Sequence, residues 1–267
     1  MERARAFHDA QPPRDARSRN VSGSFPASSP ACYAEPMSRL KGRRVLLTGA
    51  SRGIGKEAVK LFSAEGAELI GVARDAEKLA ALEREYPSFR GIAGDITDRG
   101  LGARLAQAVE ERWGALDLLL NNAAIQEYNA GFHAEPLDAL ERNFTTNVLA
   151  AHWLTNALLP LLLRGHEPRI INVSSGAGKL DVVKAESSMP AYRVSKLALN
   201  GITLAYAGDL KGKVAVNALD PGWLKTDLGG PNAPGEPPDG AVRMLELATK
   251  PFSVTGGFWY GSEPIDF

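Results

Sequence analysis

The sequence predicts an α/β protein: a doubly wound parallel sheet flanked by helices on both faces, in a single domain. Three observations carry this expectation. From Arg43 onward, short apolar runs alternate with longer amphipathic stretches. The short runs are apolar nearly throughout, as in Val45-Leu46-Leu47 and Ile170-Ile171-Asn172-Val173, which marks parallel strands buried on both sides. A glycine-rich turn, Gly49 to Gly55, joins the first run to the first amphipathic stretch.

Residues 45–48 form the first expected strand. A helix follows over 56–65, with Ala58, Val59 and Phe62 at helical spacing and Gly66 as its stop. Residues 69–73 are a second strand. Residues 75–86 are a helix, with Asp75 as N-cap and Pro87 ending it. A third strand at 89–93, a helix over 98–113 and a fourth strand at 116–120 come next. A long helix is expected over 137–163, ended by Gly165 and Pro168. Residues 169–174 are the fifth strand, 191–209 a helix and 214–219 the sixth strand. The Gly- and Pro-rich stretch 222–240 is a loop with the character of a mobile lid. A short helix over 241–248 and a last strand at 257–260 complete a Rossmann-like order.

The chain has 267 residues, 44% hydrophobic and 23% charged, enough for a core that needs no disulfide or metal. Its 31 basic and 31 acidic residues balance, which argues against nucleic-acid or membrane-surface binding. One cysteine, Cys32, excludes an internal disulfide framework and suits a reducing, cytoplasmic setting. The apolar run at 149–163 is too short to span a bilayer and contains His152 and Asn156. Residues 1–36 are rich in Arg, Ser, Ala and Pro and read as a disordered tail without the apolar region of a secretory signal. Residues 37–267 are the expected domain.

The turn Thr48-Gly49-Ala50-Ser51-Arg52-Gly53-Ile54-Gly55 follows a strand and opens a helix. Glycines there let the backbone approach a pyrophosphate, and the helix start favours the anion. At the end of the second strand of a dinucleotide fold, an acidic residue binds the ribose 2′-hydroxyl of NAD, whereas arginine suits a 2′-phosphate. This chain has Val72-Ala73-Arg74 there, with Arg52 as a second cation. Arginine forks onto phosphate oxygens, so NADP(H) is the expected cofactor. The alternative is that both arginines are solvated surface residues.

Tyr192 and Lys196 stand four residues apart, on one face of an expected helix. A free phenol titrates near about pH 10 and is a poor catalyst at neutral pH. A cation beside it is expected to lower that value and fit it for proton transfer at a substrate oxygen.

The turn pattern Thr-Gly-x-x-x-Gly-x-Gly together with Tyr192 and Lys196 resembles the short-chain dehydrogenase/reductase family in its form of about 250 residues, closest in local wording to carbonyl-reductase-type members. The resemblance extends in order through Asp95, Asn121-Asn122-Ala123, Asn147, Ser174-Ser175, Pro221-Gly222 and Thr226. It implies hydride transfer between NADP(H) and a carbonyl or secondary alcohol, with Asn147, Ser175, Tyr192 and Lys196 as the catalytic set. Ser175 would stabilise charge on the substrate oxygen and Tyr192 would carry the proton. Lys196 would lower the tyrosine pKa and bond the nicotinamide ribose, and Asn147 would hold a water leading to solvent. The implied cofactor-binding set is Gly49, Ser51, Arg52, Gly53, Ile54, Gly55, Arg74, Asp95, Ile96, Asn122, Tyr192, Lys196, Pro221, Gly222 and Thr226, with no metal.

Alternatives stay open at several of these positions. Asp95 could instead cap the next helix, Asn147 could face water, and Ser174 could replace Ser175. Trp223 could face the substrate or pack. Ser175 to Tyr192 is longer than usual for the family, which implies an insertion at about 179–188. The stripe Leu154, Leu158, Leu161 and Leu162 is an oligomer interface for a dimer or tetramer, or plain core. Other activities compatible with the sequence are a 3-ketoacyl or steroid-type reductase, or an NADP-binding regulator without turnover.

Overall fold

At the centre of the sheet, β1 (Arg44–Thr48) pairs in parallel with β2 (Glu68–Ala73) on one side and with β4 (Leu118–Asn121) on the other. Outward from β2 lies β3 (Phe89–Ala93). Outward from β4 lie β5 (Arg169–Val173), β6 (Ala215–Asp220) and β7 (Phe258–Tyr260), all parallel. The order is β3-β2-β1-β4-β5-β6-β7, with an antiparallel edge strand β8 (Glu263–Ile265) on β7. Chain order reverses between β1 and β4, and a crevice opens at the carboxyl ends of strands at such a point. This computed structural model describes residues 38–127 and 131–267, within one compact unit, Pro36–Phe267. The expected tail, 1–36, lies outside the described residues.

Strand apolarity has the expected cause. Along β1, Val45 and Leu47 join the core on one face of the sheet and Leu46 joins the core on the other. The first face is covered by α1 (Gly53–Ala64), α2 (Ala76–Glu85) and α8 (Pro237–Ala248), through Phe62, Leu79 and Leu245. The second is covered by α3 (Leu101–Trp113), α5 (Ala150–Leu162) and the end of α7 (Pro190–Asp209), through Leu105, Leu158 and Ala207. Each fully buried Leu or Phe contributes about 1.5–3 kcal/mol. Asp75 caps α2 as expected, accepting from the Lys78 N–H at 3.0 Å.

Several expectations are corrected. The helix expected at 98–113 begins at Leu101, because Asp98 instead accepts from the Gly100 N–H and turns the chain. The long helix at 137–163 is α4 (Ala139–Phe144) and α5 joined by a π-helical turn, Thr145–Leu149, that carries Asn147. The loop expected to reach 240 ends at Glu236, and α8 starts on Pro237. Proline fits the first turn because its missing N–H has no helical partner there. The Glu236 N–H is satisfied by the Asp239 carboxylate at 2.9 Å. The leucine stripe Leu154, Leu158, Leu161 and Leu162 is buried in the core of its own chain, which removes it as an interface.

The stretch 179–188, where an insertion is expected, contains a short helix, α6 (Leu180–Ala185). The chain then enters α7 through Met189, a non-glycine residue in the left-handed region (φ 53°) held before Pro190. The strand β8 was not foreseen. A two-residue turn, Gly261-Ser262, links it to β7, and that spacing is a hairpin signal.

Candidate active site

The carboxyl ends of β1, β2 and β4 open onto a cavity of about 480 Å³, bounded by the glycine turn, Arg74, residues 94–97, residues 122–125 and residues 226–228. The turn needs its glycines. Gly49 has φ +72°, and a Cβ there would lie 2.8 Å from the Asn122 amide nitrogen. A Cβ on Gly55 would lie 2.0 Å from the Gly49 carbonyl oxygen. Asn122 locks this wall: its Nδ2 donates to the Thr48 carbonyl at 2.9 Å. The Thr48 hydroxyl accepts from the backbone N–H groups of Asn122 and Ala123, both at 3.0 Å. The motif itself gives Thr48 no role; its position just before the turn is the signal that marks it.

The charged residues here differ in their engagement. Arg74 lines the cavity, is exposed, and makes no ion pair among the described residues. Arg52 is instead paired with Asp227 at 2.5 Å, so it is neither a free phosphate ligand nor an idle surface charge. Asp95 is not the cap of α3. Its carboxylate accepts from the Thr97 N–H at 2.9 Å and the Thr97 hydroxyl at 2.8 Å, and lines the cavity beside Ile96. The Thr97 N–H, helped by the Thr97 hydroxyl and the Arg74 charge, outweighs burial and holds the Asp95 carboxyl below its usual range.

A second group converges at the end of β5. The Ser174 hydroxyl points inward and donates to the Lys196 carbonyl at 3.3 Å. Successive side chains alternate, so Ser175 points the other way, capping a single 3₁₀ turn (Gly176–Gly178) by accepting from the Ala177 N–H at 3.1 Å. The first turns of α7 bring Tyr192 and Lys196 to Ser175. Both are buried, at 8% and 2% exposure. The Lys196 ammonium donates to the Val173 carbonyl at 2.8 Å and lies 5.7 Å from the centroid of the Tyr192 ring. The walls of the cavity stop short of all three residues.

Electrostatics at this centre run against expectation. Burial pushes the Tyr192 phenol up to about 12; the Ser175 hydroxyl and Arg193 oppose this, and the Asp220 carboxylate adds to it. Burial alone brings Lys196 down to about 7. In the protein by itself the lysine therefore does not acidify the phenol. Desolvation favours the neutral form of each.

Asn147 does not face water. Its Oδ1 accepts from the Ile125 N–H at 2.8 Å, and its Nδ2 donates to the Ile125 carbonyl at 3.0 Å and the Ser195 hydroxyl at 2.9 Å. Ser195 in turn donates to the Tyr192 carbonyl at 2.7 Å. Asn147 thus reaches the tyrosine through Ser195, a fully buried residue that the sequence reading missed although it lies between the pair. Trp223 is 60% exposed, with its indole N–H on the Gly229 carbonyl at 2.7 Å, so it is not a packing residue. Pro221 and Gly222 follow β6, and the Pro221 carbonyl accepts from Arg243 at 2.6 Å. Thr226 accepts from the Gly229 N–H through its hydroxyl and faces Gly53.

A dinucleotide-type crevice with a half-buried Ser175 and a buried Tyr192–Lys196 pair beside it defines a class of oxidoreductase. The family model for short chain dehydrogenase matches residues 43–236, and the chain belongs to that family. It is 30% identical over 189 residues to an NADPH-dependent pterin aldehyde reductase of Arabidopsis thaliana, covering 70% of this chain and 76% of that one. It is 32% identical over 210 residues to an L-xylulose reductase of Bos taurus, covering 78% and 82%. The NADPH-bound carbonyl reductase from chicken fatty liver superposes with a TM-score of 0.79 at 29% identity, over 85% of this chain and all of that one. Among the described residues, no helix is long and apolar enough to cross a membrane and no group of His, Cys, Asp and Glu could hold a metal ion.

Proposed function

We propose that the chain uses NADP(H) to interconvert a carbonyl compound and its secondary alcohol, with Tyr192 as the acid–base group. The observation that carries this is the convergence of Ser175, Tyr192 and Lys196 at the strand end beside a turn cleared for a pyrophosphate. The packing of the turn supports the cofactor: a Cβ at Gly49 or Gly55 would collide with Asn122 or with the Gly49 carbonyl and push apart the backbone that faces the cavity. Ser51, Gly53, Ile54, Asp95, Ile96, Asn122 and Thr226 line the same cavity, with Asp95 and Ile96 on the adenosine side, Asn122 beside the cofactor, and Pro221 and Gly222 opening the segment that leads to Thr226. Arg74 and Arg52 select the 2′-phosphate.

When bound, the nicotinamide supplies or removes a hydride at the reacting carbon. The chain's own residues manage the proton. Tyr192, kept neutral by burial, has a proton to give to the oxygen of a carbonyl being reduced. Ser175 donates a hydrogen bond to the same oxygen as charge builds there. Lys196, brought near 7, exchanges protons at working pH and refills Tyr192. Asn147 positions the start of α7 through Ser195, and is the residue from which a relay to solvent would run.

Outside the site, residues 37–267 make up the functional domain. On this reading the protein is cytoplasmic and a homodimer or homotetramer; the exposed apolar residues Leu149, Leu163 and Leu204 (45% exposed), on α7 and around α5, support the pairing. The deciding experiment is a ketone and alcohol screen followed by NADPH absorbance. Turnover that disappears in Tyr192→Phe supports the assignment; full activity in that variant, or no turnover with any substrate, removes it.

A further inference from the structure

The segment after β6 is a closed lobe. A parallel bridge pairs Leu224 with Gly235 at its neck, where the Lys225 N–H donates to the Gly235 carbonyl at 2.9 Å. Inside the lobe, the Gly229 and Gly230 N–H groups bond the Thr226 hydroxyl and carbonyl at 3.1 and 2.8 Å. The neck thus fixes the lobe's base, while its tip lies over the glycine turn. There the Thr226 methyl would sit 3.2 Å from a Cβ on Gly53. Among the described residues, one ion pair crosses this opening: it joins Asp227 on the lobe to Arg52 on the turn, at 2.5 Å, with the two side chains 71% and 59% exposed.

Arg52, Asp227 and Arg74 line the same cavity; of the two arginines, Arg52 is committed to a carboxylate and Arg74 makes no ion pair among the described residues. A phosphate on the adenosine ribose gains the full fork of Arg52 only by displacing a carboxylate already there. An exposed pair of this kind contributes little, so a doubly charged phosphate outcompetes it.

We propose that Asp227 is a specificity-determining residue that acts through Arg52. It latches the lobe to the glycine turn when no phosphate is present, and it is exchanged for the ribose 2′-phosphate on binding, so that lobe opening and NADP(H) selection are one event. This rests on the NADP(H) reading above. The latch lowers affinity for the phosphorylated nucleotide and leaves NAD⁺ unaffected, because NAD⁺ has no group to claim Arg52.

The test is calorimetric titration of the full chain with NADP⁺ and with NAD⁺, in the wild type, Asp227→Asn, Arg52→Gln and the double variant. Asp227→Asn tightens NADP⁺ binding about two- to fivefold and leaves NAD⁺ unchanged. In the Arg52→Gln background the same substitution changes nothing. Equal tightening for both nucleotides, no tightening, or a gain that survives without Arg52 overturns the proposal. Trypsin cleavage after Lys225, measured without nucleotide by mass spectrometry, gives a readout independent of the cofactor. It accelerates by a similar factor in Asp227→Asn and in Arg52→Gln, because each frees the lobe tip. Unchanged cleavage in a chain that binds NADP⁺ overturns the latch and leaves the cofactor reading standing. Faster cleavage in a chain that binds neither nucleotide keeps the latch and overturns the cofactor reading.

Discussion

At the glycine turn the working surface is backbone, open to solvent and bordered by exposed arginines and carboxylates. Around Tyr192 it is side chains, buried and held close to electrical neutrality. The difference lies in what each region must do. Recognition of an anionic nucleotide needs donors and cations that water can reach and a ligand can displace, as Arg52 and Arg74 provide. Proton transfer needs groups whose charge state is undecided near neutrality, and burial produces that at Lys196. One region is set by which atoms are absent, the other by which atoms are brought together.

The sharpest way to separate the two is to damage one and assay the other. Tyr192→Phe removes one oxygen atom from the buried centre, and turnover falls by about 10²–10⁴-fold, while titration shows NADP⁺ affinity within about twofold of wild type. Loss of nucleotide binding in that variant would show the two regions to be one. Gly55→Val is the opposite lesion. Its Cβ would meet the Gly49 carbonyl oxygen, which costs about 1–3 kcal/mol of stability by denaturant titration, with a larger proportional loss in NADP⁺ affinity.

Arg74→Asp sharpens the contrast within the nucleotide end. Charge-assisted bonds contribute about 1.5–3 kcal/mol, so the preference for NADPH over NADH falls about ten- to a hundredfold in the ratio of kcat/KM. An unchanged ratio would assign selection to Arg52 alone.

A smaller effect tests the neutrality of the buried end. Lys196 titrates near 7 in the folded chain and at 10.5 as a free side chain. Between those values the unfolded chain holds more protons, so stability rises with pH across that window. Lys196→Met abolishes the cost of burying a charge below about pH 7 and flattens the rise, as read from denaturation midpoints at pH 7 and pH 9. An identical slope in the variant would mean the ammonium is not desolvated. The smallest change is at the entry to α7. Met189→Gly relieves a left-handed conformation and alters stability by no more than about 1 kcal/mol in either direction, since glycine also gains freedom in the unfolded chain.

The sequence determined the architecture and the nucleotide wall, because both depend on local properties. Uninterrupted apolar strands can be satisfied only by cover on two faces, and β1 sends Val45 and Leu47 to one core and Leu46 to the other. A glycine requirement is written where it acts, as at Gly49 and Gly55. The tertiary structure alone decided the electrostatics and the long-range pairings. A four-residue spacing puts Tyr192 beside Lys196 but says nothing of how deeply the sheet and helices bury them, and burial reverses the sign of the expected shift on the phenol. The partner of Arg52 lies 175 residues away on the lobe, and Asn147 meets Ser195 across 48 residues. Desolvation and contacts between distant segments are properties of the packed chain, and no local pattern carries them.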